Sequence, residues 1–201
     1  MLASVFGSNL ASLTLSASSL PLPTSLGGVS ATVNGVSAPL YYVSPTQINL
    51  QIPYGTSSST ATLVVTSNGR TATMTLPVSA VAPGIFTDAN GGLVPVRTAG
   101  RGGTVTMYVT GQGAVYPTIP SGSAPAPGSS VANLPSPLGS IRVTVGGSTS
   151  SVQFAGIPIG LVGIMQVNFI VPFNAALGTQ PVVVSIGGFS SPPVNLTVTA
   201  Q

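Results

Sequence analysis

The chain has 201 residues, of which 43% are apolar and only 2% are charged; the charged side chains are Asp88 and four arginines. It contains no Lys, Glu, His, Cys or Trp, so it cannot form a Ser-His-Asp triad, a zinc site, a lysine Schiff base or a pair of catalytic carboxylates. We therefore expect no enzymatic activity, no cofactor and no metal site.

The first third of the chain predicts short strands that are separated by turns. The N-terminal stretch "LASVFGSNL" is the first of these strands, and "QINLQIP" (47–53) is the most regular one. In "QINLQIP" the residues Ile48, Leu50 and Ile52 alternate with amide side chains, which is typical of a strand with one buried face. The closing Pro53 ends the strand, because proline has no N–H to donate to a sheet.

A hairpin follows at Asn68-Gly69, between "TATLVVTS" and "RTATMTLPV". This dipeptide is a strong signal for a two-residue turn, since both central positions need a positive φ angle. On the returning strand Ala72, Met74 and Leu76 occupy alternate positions, and we expect them to face the core.

The second half of the chain repeats these landmarks in the same order, which indicates a duplicated domain. The spacing between copies differs in "PSGSAPAPGSS" and "GIPIGLVG", two segments with loop composition. On the last strand Val194, Leu196 and Val198 alternate as the returning strand of the first copy does. The matching landmarks are "VNG" (33–35) with "VGG" (145–147), "QINLQIP" (47–53) with "QVNFIVP" (166–172), and "SNG" (67–69) with "IGG" (186–188).

These patterns predict an all-β protein made of two tandem immunoglobulin-like (Ig-like) β-sandwich domains, with about seven strands each. We place domain 1 at residues 1–82, a semi-rigid linker that leads into domain 2 at 83–103, and domain 2 at 104–201. Ile85 and Phe86 are too apolar for a free linker, and we expect them to pack at the junction.

Several phrases of the chain resemble a known family. "FGSNLA", "LPLPTSLGGVSATVNGVSAPLYYVSPTQINLQIPYG", "APGIFT" and "GLVGIMQVNFIVP" are similar to the C-terminal tandem Ig-like domains of large secreted acidobacterial proteins, which are related to IPT/TIG-type sandwiches. The resemblance covers nearly the whole chain. It implies an extracellular pair of all-β domains, and it implies no catalytic activity.

Three groups of side chains are candidates for binding, and each has a simpler interpretation. The amides Gln47, Asn49 and Gln51 would hydrogen-bond sugars or a second subunit, or would form a solvated sheet face. Tyr41 and Tyr42, with Tyr54, would form an aromatic platform, or would be ordinary strand tyrosines of which one faces outward. Ordinary strand roles are the more frequent outcome for such residues.

Asp88 in "DANGG" would help to hold Ca²⁺ or would close a turn, and one carboxylate is little for an ion with six to eight oxygen ligands. The four arginines, which bring the net charge to +3, are scattered and form no patch for nucleic acid. No apolar run is long enough to span a membrane.

The low charge is the strongest functional signal in the sequence. Soluble domains keep their surfaces charged and protect sheet edges with lysines. Either glycans coat the Ser/Thr-rich surface, or the edges and faces are buried against neighbouring molecules. We favour the second explanation and expect an extracellular, cell-surface protein that assembles with copies of itself or binds surface proteins or glycans. The N-terminal strand, with Leu2, Val5 and Phe6, is the expected strand for exchange between copies. The alternative is a carbohydrate-binding or adhesive module.

Overall fold

The computed structural model describes residues 1–57 and 59–201 and is all-β, with 49% of the chain in strands. We call the sandwich formed by the first nine strands domain 1. Its strands are β1 (Leu2–Phe6), β2 (Leu15–Ser16), β3 (Ser25–Leu26), β4 (Val29–Val33), β5 (Val36–Ser37), β6 (Leu40–Val43), β7 (Gln47–Gln51), β8 (Thr60–Ser67) and β9 (Arg70–Pro77).

The remaining strands form domain 2, together with one short 3₁₀ helix, Val131–Asn133. These strands are β10 (Gly84–Ile85), β11 (Thr98–Gly100), β12 (Thr104–Thr110), β13 (Val115–Tyr116), β14 (Ser136–Pro137), β15 (Ile141–Val145), β16 (Ser148–Gly156), β17 (Met165–Ile170), β18 (Gly178–Ile186), β19 (Phe189–Ser190) and β20 (Val194–Thr199).

Domain 2 has the strand pairing of an Ig-like sandwich. One sheet has the order β10-β12-β17-β16 and the other the order β15-β18-β20-β11, with β11 parallel to β20. The strand β16 joins both sheets, since Ser148–Ser150 pair with β15 and Ser151–Gly156 pair with β17. This arrangement corresponds to the ABED and CFG sheets of an Ig domain, with the first strand split between the two sheets.

Domain 1 repeats this arrangement without the first strand. Its sheets have the orders β1-β7-β6-β2 and β3-β4-β8-β9. By position, β1, β7 and β6 match β12, β17 and the second part of β16, and β4, β8 and β9 match β15, β18 and β20. In the described part of the chain, no strand of domain 1 takes the place of β10 or β11.

The predicted alternation sets the core of each domain. In β7 the side chains of Ile48 and Leu50 are fully buried, and in β17 those of Val167 and Phe169 are fully buried. Both strands end two residues before their proline. The Asn68-Gly69 turn joins β8 to β9 with both residues at positive φ, as the sequence predicts.

The returning strands of the two copies differ, which the sequence does not predict. Val194, Leu196 and Val198 of β20 are buried in the core of domain 2. On β9, by contrast, Ala72 and Met74 are exposed and only Leu76 is partly buried. The expectation that all three face a closed core is therefore wrong for Ala72 and Met74, because no strand covers this side of domain 1 within the described residues.

The segment 83–103 contributes β10 and β11 to the sheets of domain 2, and Ile85 packs against the core of domain 2. The exact domain boundaries at residues 82 and 103 stay predictions.

Candidate binding groove at the domain junction

A groove of about 570 Å³ lies where the outer face of the β1-β7-β6-β2 sheet meets domain 2. We call it the junction groove. Six of the ten side chains that the sequence singles out line it: Leu2, Tyr41, Tyr42, Gln47, Asn49 and Phe86. Thr110 and Ile164 of domain 2 complete the wall on the other side. The fold therefore brings together selected residues that are up to 84 positions apart in the chain, from Leu2 to Phe86.

A β-bulge places both tyrosines in this groove. The pairing of β6 with β7 shifts between Leu40 and Tyr42, so that Tyr41 is the extra residue. A bulge interrupts the alternation of side chains along a strand. Tyr41 and Tyr42 therefore line the same groove on the outer face of this sheet, whereas the sequence predicts only that one of them faces outward.

Tyr41 joins the two domains. Its hydroxyl donates a hydrogen bond to the carbonyl oxygen of Val162 and accepts one from the N–H of Val162, both at 3.0 Å. Burial raises the pKa of Tyr41, and the hydrogen bond with the Val162 backbone acts in the opposite direction. Val162 is fully buried, so this hydroxyl satisfies two backbone groups that would otherwise have to find another partner.

The amides of the groove form a short hydrogen-bonded chain. Asn49 Oδ1 accepts hydrogen bonds from Gln47 Nε2 at 2.7 Å and from Ser4 Oγ at 2.8 Å. Among the described residues, Gln47 Oε1 and Asn49 Nδ2 have no further partner, so both can bind a ligand. In domain 2 the same chain recurs: Asn168 Oδ1 accepts from Gln166 Nε2 and from Thr106 Oγ1, each at 3.0 Å.

This recurrence shows that the amide chain belongs to the sandwich itself. In both copies it ties the strand that carries the amides to its neighbour, β1 or β12. Domain 2 carries an aromatic residue at the same place, since Phe154 pairs with Asn168 as Tyr42 pairs with Asn49. The junction groove differs in its bulge residue, which is Tyr41 in domain 1 and Gln153 in domain 2, and in the second wall that Phe86, Thr110 and Ile164 add.

Gln51 lies elsewhere than the sequence predicts. Its side chain is fully buried instead of lying on an outer polar face. Its Oε1 accepts a hydrogen bond from the N–H of Gly122 at 2.6 Å, while Nε2 has no partner among the described residues. The reason is that a loop of domain 2 covers this end of β7.

The two segments that lengthen the second copy build the interface between the domains. The first, around Gly122, contacts Gln51 and accepts a hydrogen bond from the N–H of Leu22 at 2.8 Å. The second supplies Val162, the partner of Tyr41. These two loops therefore form contacts between domain 1 and domain 2.

The remaining predicted residues have different roles. The N–H of Leu2 donates to Thr110 Oγ1 at 2.7 Å, which adds another bond across the junction. Val5 packs against the core of domain 1, whereas the ring of Phe6 is 72% exposed. Phe86 is half-buried and lines the groove at the junction, whereas Ile85 packs against the core of domain 2.

Tyr54 does not join the other two tyrosines. It lies on the opposite side of the junction, and its N–H donates to Ser121 Oγ at 2.9 Å. Burial raises the pKa of Tyr54, and the neighbouring Gln112 side chain opposes that shift. The predicted three-tyrosine platform is therefore reduced to Tyr41 and Tyr42, because the buried turn after β7 carries Tyr54 away.

Asp88 closes a turn. Its Oδ1 accepts hydrogen bonds from the N–H groups of Asn90 and Gly92, and its Oδ2 lies 2.7 Å from Arg97 Nε. The N–H groups of Gly92 and Asn90 and the Arg97 guanidinium hold the pKa of Asp88 below its usual value. Among residues 1–57 and 59–201, no group of three or more His, Cys, Asp or Glu side chains lies together.

A second cavity, of about 480 Å³, lies on the uncovered side of domain 1. We call it the open-side cavity. Its apolar wall is formed by Val33, Ile52, Ala61, Leu76 and Val78, and Val115 and Ile119 of domain 2 close one end. Sequence reasoning did not select this site. The signal that was available is the alternating apolar pattern of β9, with Ala72, Met74 and Leu76.

Comparisons with known proteins assign no family. No protein-family profile and no curated protein matches the chain. Solved structures match at low similarity: a surface layer protein, SbsC domains 4–9 (16% identity, 90% of this chain and 23% of that one, TM-score 0.31); SGBP-B of a Bacteroides ovatus mixed-linkage glucan utilization locus (16%, 96% and 42%, TM-score 0.34); and the Yersinia pseudotuberculosis adhesin InvE (14%, 89% and 51%, TM-score 0.29).

This chain thus spans about a quarter to a half of the length of those proteins. Identities and TM-scores this low assign neither a binding partner nor an activity to it. The strand pairing described above carries the Ig-like classification. No helix in the described part of the chain is long and apolar enough to cross a membrane.

Proposed function

We propose that this chain is a non-enzymatic, extracellular structural or interaction protein that assembles with copies of itself into a filament, sheath or surface layer. The observation that carries the proposal is the outer edge of β9. This strand is eight residues long, it pairs with β8 and with no other strand in the described part of the chain, and its side chains are exposed along nearly its whole length. An uncovered edge of this kind is a template for pairing with another chain.

The surface of the chain supports the same proposal. Large apolar side chains are exposed on both domains, and the chain has very few charges. Solitary soluble domains keep such apolar side chains scattered among charged ones. The most exposed examples are Phe6, Val36, Met74, Tyr116, Val131, Leu138 and Phe173.

Exchange of β1 between copies is the finer form of this proposal. The strand lies at the edge of its sheet and pairs with β7 alone, so another copy can replace it without rethreading the chain. Ala3 and Val5 pack on the core and would be replaced by the same residues of the incoming strand. We expect a chain that lacks residues 1–10, but is folded by circular dichroism, to form no polymer. Normal polymers from this folded truncation would contradict strand exchange.

The resemblance of the sequence motifs supports a further proposal, that the chain belongs to the secreted acidobacterial tandem Ig-like proteins. The Ig-like pairing of both domains agrees with that assignment. An extracellular location follows from the same resemblance and from the low charge.

Assembly is tested by negative-stain microscopy and sedimentation velocity of the purified chain. A lysine on the core-facing side of an edge strand prevents edge pairing, and Met74 occupies such a position at 50% exposure. We expect Met74→Lys to abolish polymers. Val36→Lys is the matched control, since Val36 is also exposed, at 57%, and lies on β5 of the same sheet. A wild-type chain that stays monomeric at high concentration would refute self-assembly.

A second candidate function is glycan binding in the junction groove. The observation that favours it is the position of Tyr42 and Phe86 beside the free amide groups of Gln47 and Asn49, because sugars bind to aromatic faces flanked by hydrogen-bonding groups. We expect Tyr42→Ala and Gln47→Ala to abolish binding on a glycan array. Gln166→Ala is the control, since Gln166 makes the same amide contact in domain 2. Equal loss from Gln166→Ala would locate any binding outside the groove.

A further inference from the structure

The two copies differ at one position of the fold, the place of the first Ig strand. In domain 2 the segment from Gly91 to Arg101 runs along the outer edge of β20. Leu93 of this segment is fully buried in the core of domain 2, and Val96 and Ala99 pack against that core. In the described part of domain 1 the equivalent edge, that of β9, has no such segment.

Domain 2 shows how a strand fits this edge. The N–H of Leu93 donates to the carbonyl of Asn195 at 2.9 Å, and the N–H of Asn195 donates to Gly91 at 3.2 Å. Further along, the N–H of Thr197 donates to the carbonyl oxygen of Arg97 at 2.8 Å. The N–H of Arg101 then donates to the carbonyl oxygen of Thr199 at 3.1 Å. The added strand is therefore parallel to β20 and uses the outward-facing groups of every second residue.

The hairpin registers identify the matching residues of β9. Leu63 pairs with Met74, and Val182 pairs with Val194. Leu63 and Val182 are equivalent, because each lies four residues before the end of the strand that precedes its two-residue turn. It follows that Met74 matches Val194; by the same register, Leu76 matches Leu196 and Val78 matches Val198.

The backbone of β9 presents most of the groups that such a strand needs. The N–H of Val78 donates to the carbonyl oxygen of Ser59 on the β8 side. Along an antiparallel pair, every second residue directs its backbone groups to the partner strand. Thr75, Pro77 and Ser79 therefore direct theirs away from β8. They match Asn195, Thr197 and Thr199 of the template in domain 2. Pro77 has no N–H, so three of the four backbone contacts of the template are available.

We propose that the open side of domain 1, formed by Met74, Leu76 and Val78 and the outer edge of β9, accepts an extended polypeptide strand that runs parallel to β9. The incoming strand has the chemistry of residues 91–101: large aliphatic side chains that enter the sandwich, a proline or small residue between them, and no acidic residue. This inference rests on the open edge that carries the proposed function, and it names the kind of partner that this edge takes.

The open-side cavity explains the chemistry of the partner. Its wall is apolar, and Leu76 and Val78 lie partly uncovered in it. Aliphatic side chains would remove this surface from water, which is favourable. A charged side chain would lose its hydration there without a partner. The only charged residue among positions 1–82 is Arg70, at the far end of β9.

The probe is a synthetic peptide with the sequence of residues 90–101, NGGLVPVRTAGR, titrated into the full-length chain. We expect saturable shifts of the Thr75 amide and of the Leu76 and Val78 methyl groups in NMR spectra. A spin label at the peptide N-terminus should broaden Met74 more than Ser79, as a parallel strand requires.

Two control peptides separate pairing from non-specific adhesion. A peptide that is N-methylated at its leucine loses the equivalent of the Leu93 to Asn195 bond, and we expect roughly fivefold weaker binding. A second peptide, with aspartate at the positions of Leu93 and Val96, should not bind. Equal binding of all three peptides, or stronger broadening at Ser79 than at Met74, would overturn the proposal.

A fused chain keeps the test decisive when the free peptide is too weak. In this fused chain a copy of residues 84–103 replaces Met1. Ala3 pairs with Leu50 as Val105 pairs with Phe169, so Leu2 is equivalent to Thr104. The copied segment therefore leads into β1 as residues 84–103 lead into β12. Fusion raises the local concentration to the millimolar range. We expect a higher melting temperature and slower exchange of the Thr75 amide, and neither effect with the two aspartates in the copied segment. Absence of both effects would refute the proposal.

These outcomes are distinct from those that test self-assembly. Peptide binding by a strictly monomeric chain would support the strand site and contradict polymer formation. Polymers that form while neither the peptide nor the fused segment occupies β9 would support assembly through other surfaces and contradict the strand site.

Discussion

Replacing Tyr41 with phenylalanine tests whether the two domains are held in a fixed arrangement. The change removes only a hydroxyl, which donates to the carbonyl and accepts from the N–H of the buried Val162. An unsatisfied buried backbone group costs about 1–3 kcal/mol. Tyr41 is half-buried, so water from the groove can reach the N–H and the carbonyl of Val162 in the variant. We therefore expect the free energy of unfolding to fall by about 2 kcal/mol, less than the summed cost of two unsatisfied groups.

The loss is measurable in two independent ways. In a chain of this size, 1 kcal/mol lowers the melting temperature by about 2–4 °C, so Tyr41→Phe should lower it by about 4–8 °C. Hydrogen exchange of the Val162 amide should become faster in the same variant. Tyr42→Phe is the matched control, because the Tyr42 hydroxyl has no hydrogen-bond partner among the described residues, and its effect should stay within about 0.5 kcal/mol.

Equal effects of the two substitutions, or an unchanged exchange rate at Val162, would refute this reasoning. Either result would mean that the hydroxyl of Tyr41 does not hold the junction in solution.

Two further pairs of substitutions test the junction and the open side. Gly111→Ala should lower the free energy of unfolding in urea by roughly 3–5 kcal/mol, because a Cβ at this positive-φ position would overlap the carbonyl oxygen of Ala82. Gly69→Ala is the control, since Gly69 has the same φ of +78° and open space around it, and it should cost only about 1–2 kcal/mol. Equal costs would show that the Ala82 contact is absent. Leu196→Ala should lower the free energy of unfolding by about 2–5 kcal/mol, because this residue is fully buried. Leu76→Ala, at the equivalent but partly uncovered position, should lower it by about 1 kcal/mol. A larger loss of stability from Leu76→Ala would mean that the open side is closed in solution.

Much of the secondary structure follows from the sequence alone, because local rules decide it. The alternation in "QINLQIP" and "QVNFIVP" identifies Ile48, Leu50 and their counterparts as core residues, and the structure buries them. The Asn-Gly turn forms where positive φ is tolerated. The repeat of these landmarks also predicts two sandwiches, since a duplicated pattern buries the same faces twice.

From the sequence, residues of the junction groove could be selected by side-chain type, but their positions could not be predicted. Leu2, Tyr42 and Phe86 meet there although nothing in the sequence measures their distance. Gln51 was assigned to an outer face by its alternation, but a loop 71 positions away covers it. Alternation tells which side of a strand a residue occupies, and it does not tell whether another part of the chain packs on that side.

The sequence by itself determined the strand pattern, the turns, the duplication and the lack of Lys, Glu, His, Cys and Trp, because each of these depends on neighbouring residues or on composition. Only the tertiary structure decided that the bulge at Tyr41 turns two tyrosines into one groove and that the lengthened loops bind the domains together. It also decided that β20 is covered while β9 is open, although Leu196 and Leu76 follow the same pattern. Whether an apolar strand becomes core or interface depends on what lies against it, and that partner is set by contacts between distant parts of the chain.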